Sequence, residues 1–353
     1  MGLTYREAIR TRMAAHADQI GNLLATALGQ STYKELLATH REKVPELVRE
    51  LEGIASGSGL QFETIFGVSL SQEFECLVQQ HNQQRTIHTM DHCSDYMLCT
   101  PDACINAHNE DGEKADSQLF VGYVHLAGRR FTVLNYAGDL LGGMSAFAFN
   151  DVGLAFTLNW VGPRHCKPSG LGRNFVSSML LHATSWDEAK AIIGTPHVGG
   201  HNYQLSDFKH RRISNFEVAG DEVVERLVAA PFFHANQYQT LDVLDQVISN
   251  SSAHRLARVT SLPQPRNGSQ ALWVLGDQGD HLFPIFHDDV SHARGELSDW
   301  TLATVLLDLD QGTTDLMMGN PRNLKVLRRF NILGHLEQDT RPQLLAMPTE
   351  VIM

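Results

Sequence analysis

Cys93-Ser94-Asp95-Tyr96-Met97-Leu98-Cys99, then Ile105-Asn106-Ala107-His108-Asn109-Glu110-Asp111-Gly112, is the stretch on which the fold turns. Before it, apolar residues recur at helical spacing: Leu23, Leu24, Leu28, Leu36 and Leu37, then Val44, Leu47, Val48, Leu51 and Ile54. They predict helices over 4–57, with Gly29 and Gly57-Ser58-Gly59 as stop signals, and another helix over 61–80. After it the period changes. Strands are expected at 93–99, 105–108, 119–126, 130–136, 144–149 and 154–159, separated by turns such as Asn109-Glu110-Asp111-Gly112 and Ala127-Gly128. Further on, the pattern predicts a helix at 173–195, strands near 201–206, 212–218 and 223–229, and a helix pair near 240–261. A loop at 262–270 and strands near 270–276, 300–309 and 313–318 follow. Helices segregated from strands predict an α+β layered fold, not a doubly wound βαβ array. With no repeat and no linker, residues 1–353 are expected to form a single domain.

Composition removes several partner classes. The chain is 42% hydrophobic, too apolar for disorder, and carries 28 Lys and Arg against 40 Asp and Glu, a net charge of −12. No Lys/Arg run exceeds a dipeptide, so neither nucleic acid nor an anionic membrane is an expected partner, whereas a cationic small molecule is mildly favoured. The N-terminus lacks an apolar segment of the signal-peptide kind, Arg6 stands where a myristoylation motif has Ser or Thr, and no window is long and apolar enough to span a membrane. Together with an odd cysteine count (Cys76, Cys93, Cys99, Cys104 and Cys166), this predicts free thiols and a cytoplasmic location.

The motifs of P-loop nucleotide binders, dinucleotide folds, zincins and α/β-hydrolases are all missing from the sequence. What remains is a cysteine where helical sequence becomes sheet sequence. An antiparallel hairpin would return Asp111 beside Cys93. A nucleophilic thiol needs a base, and the free α-amine of an N-terminal cysteine, with a pKa of about 8, can serve. The rival is a zinc site: His88 and His92 stand four apart with Asp91 and Cys93 adjacent, but no second ligand cluster accompanies them. Taken singly, Asp111 before Gly112 reads as a turn residue, Asn236 as a helix cap, and Arg255 with Arg258 as a solvated helix face. His234 reads equally as a core histidine or a site group, and Glu73 as a buried structural acid.

Taken in order, these pieces resemble a family. They are Glu52–Leu60, Leu70-Ser71-Gln72-Glu73, Cys93-Ser94, His108-Asn109-Glu110-Asp111, Asn150–Leu154 with Asn159, His234-Ala235-Asn236-Gln237, Ser251–Arg255, Thr301–Val305 with Asp308, and Gly319-Asn320-Pro321. Their order is similar to that of the penicillin acyltransferase-type N-terminal-nucleophile (Ntn) amidohydrolases, relatives of the choloylglycine hydrolases. Cys-Ser-Asp at 93–95, Asn-Glu-Asp at 109–111 and Ile213–Glu217 look most like the animal β-alanyl-amine hydrolases, which act on β-alanyl-dopamine and carcinine. The resemblance implies a four-layer αββα sandwich and self-cleavage before Cys93, giving associated chains 1–92 and 93–353. It also implies a small N-acyl amine substrate cleaved by hydrolysis, with an acyltransferase or a bile-salt or penicillin-type amidase of the same fold as the alternative, and no cofactor or metal. The roles it implies are Cys93 as nucleophile, Asp111 orienting the α-amine, Asn236 donating to the oxyanion, Arg255 beside the thiolate or Asp111, and Asn150 as a second oxyanion or substrate contact. Where the family often has Gly before the nucleophile, this chain has the bulkier His92. Oligomeric state is left open.

Overall fold

A computed structural model describes residues 1–82 and 93–332, apart from positions 127, 144, 163–164, 245, 296 and 298, together with the strand pair 343–344. Five helices come first: α1 (Arg6–Leu24), α2 (Ala27–Lys43), α3 (Pro45–Ser58), α4 (Phe62–Ser69) and α5 (Ser71–His81). Helix α3 ends as its sequence predicts, on Gly59 in the left-handed conformation (φ 72°). Next come β1 (Ser94–Cys99), β2 (Cys104–Gly112), β3 (Leu119–Leu126), β4 (Arg129–Tyr136), β5 (Ser145–Asn150) and β6 (Leu154–Asn159). Helices α6 (Arg173–Leu180) and α7 (Trp186–Ile193) separate these from β7 (Gly200–Asp207), β8 (Arg212–Ala219), β9 (Glu222–Leu227) and β10 (Phe232–His234). Then follow α8 (Asn250–Thr260), α9 (Gly268–Leu275), α10 (Asp289–His292), β11 (Trp300–Asp308), β12 (Thr313–Met317), β13 (Val326–Asn331) and β14 (Gln343–Leu344).

The strands form two antiparallel sheets. One has six strands, ordered β10-β1-β2-β11-β12-β13, and the other eight, ordered β14-β3-β4-β5-β6-β7-β8-β9. Alternation along each strand sends one set of side chains between the sheets and the other onto helices. Met97, Leu134, Phe147, Phe149, Val305, Leu316 and Phe330 meet between the sheets. Tyr96, Leu98, Ile105 and Ala107 face outward onto Ala271, Leu272 and Leu275 of α9. On the far side Phe131, Ala148, Phe156 and Tyr203 pack on Val176 and Leu180 of α6 and Trp186 of α7. The order helix, sheet, sheet, helix is the expected αββα sandwich. The N-terminal helices α1–α5 build a separate apolar cluster against Phe120, Leu140 and Phe175.

Several local expectations are corrected. The helix expected at 173–195 is two helices, because Ser185 caps α7 and the Glu188 side chain returns to the Thr184 N–H (2.7 Å). The strand expected near 270–276 is helix α9, started by Asn267, whose side chain accepts from the Gln270 N–H (3.0 Å). Of the helix pair near 240–261 only α8 forms, and strands β10 and β13 were not expected. The free-thiol expectation also fails. Cys99 and Cys104 are direct partners in the β1–β2 hairpin and form a disulfide, and Cys76 of α5 is bonded to Cys166, 90 residues away. Cys93 is the free cysteine. Disulfides persist in oxidising compartments, so the cytoplasmic expectation loses its cysteine argument. No helix among the described residues is long and apolar enough to cross a membrane.

Candidate active site

Cys93 sits at the head of β1, buried, with its backbone in the left-handed region (φ 55°). That region costs a residue with a Cβ on the order of 1 kcal/mol. Strand β1 lies between β10 and β2, and the register Ser94↔Asn109 brings the end of β2 alongside Cys93. The hairpin returns Asp111 to Cys93 through its backbone and not through the expected carboxylate: the thiol Sγ is 4.0 Å from the Asp111 carbonyl oxygen. The Asp111 carboxylate is turned to the other side of β2, where Oδ2 is 4.0 Å from His287 Nδ1 and where Arg255 and Thr301 act on it. Burial raises its pKa, opposed by His287, Arg255 and Thr301.

Arg255 is no solvated helix residue. Helix α8, capped by Ser249, turns its first face into the molecule, and Arg255 is wholly buried there, whereas Arg258 pairs with Asp277 (2.7 Å). The Arg255 guanidinium donates to the Cys93 carbonyl (2.7 Å), the Ser94 hydroxyl (2.8 Å) and Asn236 Oδ1 (2.6 Å). Nε donates to a fourth acceptor, Ser251 Oγ (3.1 Å), and four directed acceptors suit the planar fork of an arginine. Its bond to Oδ1 fixes which way the Asn236 amide points. One amide hydrogen goes to the Trp160 carbonyl (2.9 Å), and Ser252 Oγ accepts from the Asn236 backbone N–H (3.0 Å). Cys93, Asn236 and Arg255 therefore form one contiguous cluster with Asp111 at its edge.

Asn150 does not join them. It lies on the helix-facing side of β5, where its amide donates to the carbonyls of Leu181 (3.2 Å) and Ala183 (2.9 Å). Its oxygen accepts from the N–H groups of Val152 and Leu154, so it is consumed in closing the β5–β6 turn. The asparagine that reaches the nucleophile is Asn159 at the end of β6, whose amide lies 3.5 Å from the Cys93 carbonyl and 3.3 Å from that of Ala235. His234 is a core pair, bonded to Glu217 (3.0 Å), and Glu73 is buried, accepting from the Arg173 N–H (2.8 Å).

Sequence reasoning missed the residues beside the thiol. His108 and Glu110 alternate on the inner face of β2, and their side chains and Cys93 Sγ lie within 4.8 Å of one another. His108 Nδ1 is bonded to Asp95 (2.9 Å) and Nε2 to Glu110 (3.0 Å), while the Tyr136 hydroxyl donates to the other Glu110 oxygen (2.5 Å). Asp95 in turn accepts from Thr157 (2.7 Å). Burial would lower the His108 pKa, but Asp95, Cys93 and Glu110 outweigh it and raise it well above its usual value. Burial first, then the Glu110 charge, push the Cys93 thiol up to about 12, against an opposing pull from His108. Thiol, imidazole and carboxylate are also zinc donors. Here, however, the imidazole and both Glu110 oxygens are engaged with one another and with Asp95 and Tyr136, which is the pattern of a proton network. The residues of the rival zinc reading, His88, Asp91, His92 and Cys93, lie, except for Cys93, outside the described residues.

A family model described as acyl-coenzyme A:6-aminopenicillanic acid acyl-transferase matches residues 99–323, a span that takes in Asp111, Asn236 and Arg255. The chain is also similar to the beta-alanyl-dopamine/carcinine hydrolase of Drosophila melanogaster. The two are 23% identical over 334 residues, covering 86% of this chain and 84% of the relative.

Proposed function

This chain belongs to the acyl-coenzyme A:6-aminopenicillanic acid acyl-transferase family, and from that premise we propose that it is a self-processing cysteine amidohydrolase. The family and the relative support an enzyme of the amidohydrolase or acyltransferase kind. The observation that carries the finer reading is Cys93: a buried free thiol heading an interior strand, with a left-handed φ and its carbonyl held by Arg255. Cleavage of the 92–93 peptide bond abolishes the φ torsion of Cys93 and so releases its strain. It also converts the amide nitrogen into the α-amine that a cysteine nucleophile needs.

In turnover the Cys93 thiolate attacks the substrate amide carbonyl and the α-amine carries the proton to the departing amine. The amide hydrogen of Asn236 not used by Trp160 stabilises the oxyanion, a contribution of about 2.7–4 kcal/mol for such donors. Arg255 holds Asn236 and the Cys93 carbonyl in register, and Asp111 sets the field at the amine. Water then resolves the thioester. The substrate reading is a β-alanyl amine, β-alanyl-dopamine or carcinine, supported by the name of the relative and by the chain's net charge of −12, which mildly favours a cationic small molecule. The family's name favours acyl transfer as the second outcome, with an amine in place of water.

Intact mass and N-terminal sequencing test the cut. Wild type should give fragments of about 10 and about 29 kDa after reduction (92 and 261 of 353 residues in 39.2 kDa), and Cys93→Ala a single whole chain without activity. Without reductant the cut protein should keep its full mass, because Cys76–Cys166 joins the two sides. A processed, active Cys93→Ala protein refutes the mechanism.

A further inference from the structure

Self-cleavage poses a problem that turnover does not. Before the cut, the nitrogen of Cys93 is an amide and cannot act as a base, so the proton on Sγ needs another acceptor. In the uncut chain the ionisable groups that meet Sγ inside the sandwich are His108 and Glu110, all within 4.8 Å of one another. They are held from several elements. Asp95 of β1 is bonded to His108 Nδ1, Tyr136 of β4 caps Glu110, and Thr157 of β6 fixes Asp95. The remaining charged neighbours are Arg255 of α8, which grips the Cys93 carbonyl, Asp111 of β2, which acts on the thiol, and Arg12 of α1, whose guanidinium stacks 5.2 Å over the Tyr136 ring.

We propose that the Asp95–His108–Glu110 chain is the proton carrier of self-cleavage, a duty the α-amine takes over once the cut has been made. The proposal rests on the reading of Cys93 as a self-processing nucleophile. The Sγ proton passes to the His108–Glu110 pair as Sγ bonds to the carbonyl carbon of residue 92. The pair returns a proton to the Cys93 nitrogen as the C–N bond breaks, leaving a thioester and a free α-amine. Water then adds its oxygen to that carbonyl carbon, and its hydrogen returns to Sγ, which restores the thiol and leaves a carboxyl on residue 92. Nothing is oxidised, and water is the added reactant. Two features make the chain suited to the task. The bond between His108 Nε2 and Glu110 Oε2 lets a proton move along it, and Tyr136, whose pKa burial and then Glu110 raise well above its usual value, stays a neutral donor that holds Glu110 in place. Burial also leaves almost no thiolate in the uncut chain at neutral pH, so an internal base matters.

Full-length chains carrying His108→Gln or Glu110→Gln test this, with the rate of fragment appearance measured by mass spectrometry from pH 6 to 9. Glu110→Gln keeps an oxygen for Tyr136, and thermal melts identify which variants are folded. The expected result is cleavage slowed about 10²-fold. Its logarithm should rise by about one unit per pH unit, because hydroxide must now take the thiol proton, whereas the wild-type profile is flatter. Turnover per mole of newly exposed N-terminal Cys93 should fall at least tenfold less than cleavage does. Variants that cleave at the wild-type rate with the wild-type profile overturn the carrier, as does an equal loss of cleavage and turnover, which marks a merely structural role. A wild type that stays whole at residue 93 defeats the reading of Cys93 and the carrier with it.

Discussion

Between the same two sheets, one half of the layer is filled with Leu134, Phe147, Phe149, Val305, Leu316 and Phe330, and the other with Asp95, Asn106, His108, Thr157, Asn202, Gln204 and Asn215, all of them buried. The apolar half holds by burial, at about 1.5–3 kcal/mol for each large side chain. The polar half is held by hydrogen bonds among its groups, which leave Asn106 Oδ1 and Asn215 Oδ1 without a protein partner among the described residues. Thr157 donates to Asp95 and accepts from Asn106 (2.9 Å), Gln204 donates to Asn202, and Asn215 donates to the same oxygen (3.0 Å). Such a network is costly to bury and useful to keep, since its hydrogen bonds give the members they join fixed directions. It ends at His108, Glu110 and Cys93. The difference teaches where a rigid sandwich can place chemistry: the apolar half sets the spacing of the sheets, and the polar half uses that spacing to orient groups around a thiol.

Truncating the apolar half should produce the largest effect, and on stability alone. Phe147→Ala removes a ring packed against Phe149 and Phe330, with centroids 6.0 and 5.6 Å away. Denaturant titration should show a loss of about 3–5 kcal/mol, with kcat per folded, processed molecule near that of wild type. A large fall in kcat would erase the division between the halves. Arg255→Lys, at the polar end, should do the opposite. The charge is kept but the fork is lost, so Asn236 is no longer oriented. Activity should fall by about 10²–10³-fold, equivalent to about 2.7–4 kcal/mol, with a smaller change in melting temperature. Thr157→Val keeps the shape while removing the hydroxyl that joins Asp95 to Asn106. It should cost about 1–3 kcal/mol and slow self-cleavage, and an unchanged melt would show that the network is not load-sharing.

The contrast also explains what was legible in the sequence. Strand alternation and the change of period at Cys93 are local signals, so the hairpin, the α+β class and the proximity of Cys93 and Asp111 could be read directly, whereas the order of the layers needed the resemblance. Arg255 and Asn236 needed the resemblance, because nothing near them in sequence distinguishes a buried fork from a solvated helix face. His108 and Glu110 stand two apart on β2 and two apart share a face. That spacing is present in the sequence but is shared by every pair two apart on a buried strand, so it does not by itself mark a site. Asn150 was misplaced for a related reason: parity along β5 sets it with Ala148 toward the helices, while Asn159 shares the inner face of β6 with Thr157 and Ala155. Helix α9 was hidden by a short apolar run, Ala271–Leu275, that fits either state, although Asn267 with Gln270 is a helix-start signature. The Cys76–Cys166 bond joins positions 90 residues apart and leaves no local trace at all.

The mildest test separates the halves by acid. At the far end of the polar half, Glu217 accepts from His234 and from the backbone N–H groups of Gln239, Thr240 and Leu241 (2.8, 2.8 and 2.7 Å), which shapes the irregular segment leading toward α8. Burial alone would raise the Glu217 carboxyl, but these donors outweigh it and hold it below its usual value. A carboxyl depressed in the folded state contributes stability that is fully present above the unfolded pKa, about 4.3, and is lost as pH falls through the folded value. The stability gap between wild type and Glu217→Gln should therefore be on the order of 1 kcal/mol at pH 7 and close progressively below about pH 4. The apolar half has no such titration, so the penalty of Phe147→Ala should stay constant over the same range. A Glu217 gap that persists unchanged to pH 3 would mean that the carboxylate is not what holds the 239–241 turn, and the segment would then owe its shape to the apolar packing of Tyr238 and Leu241.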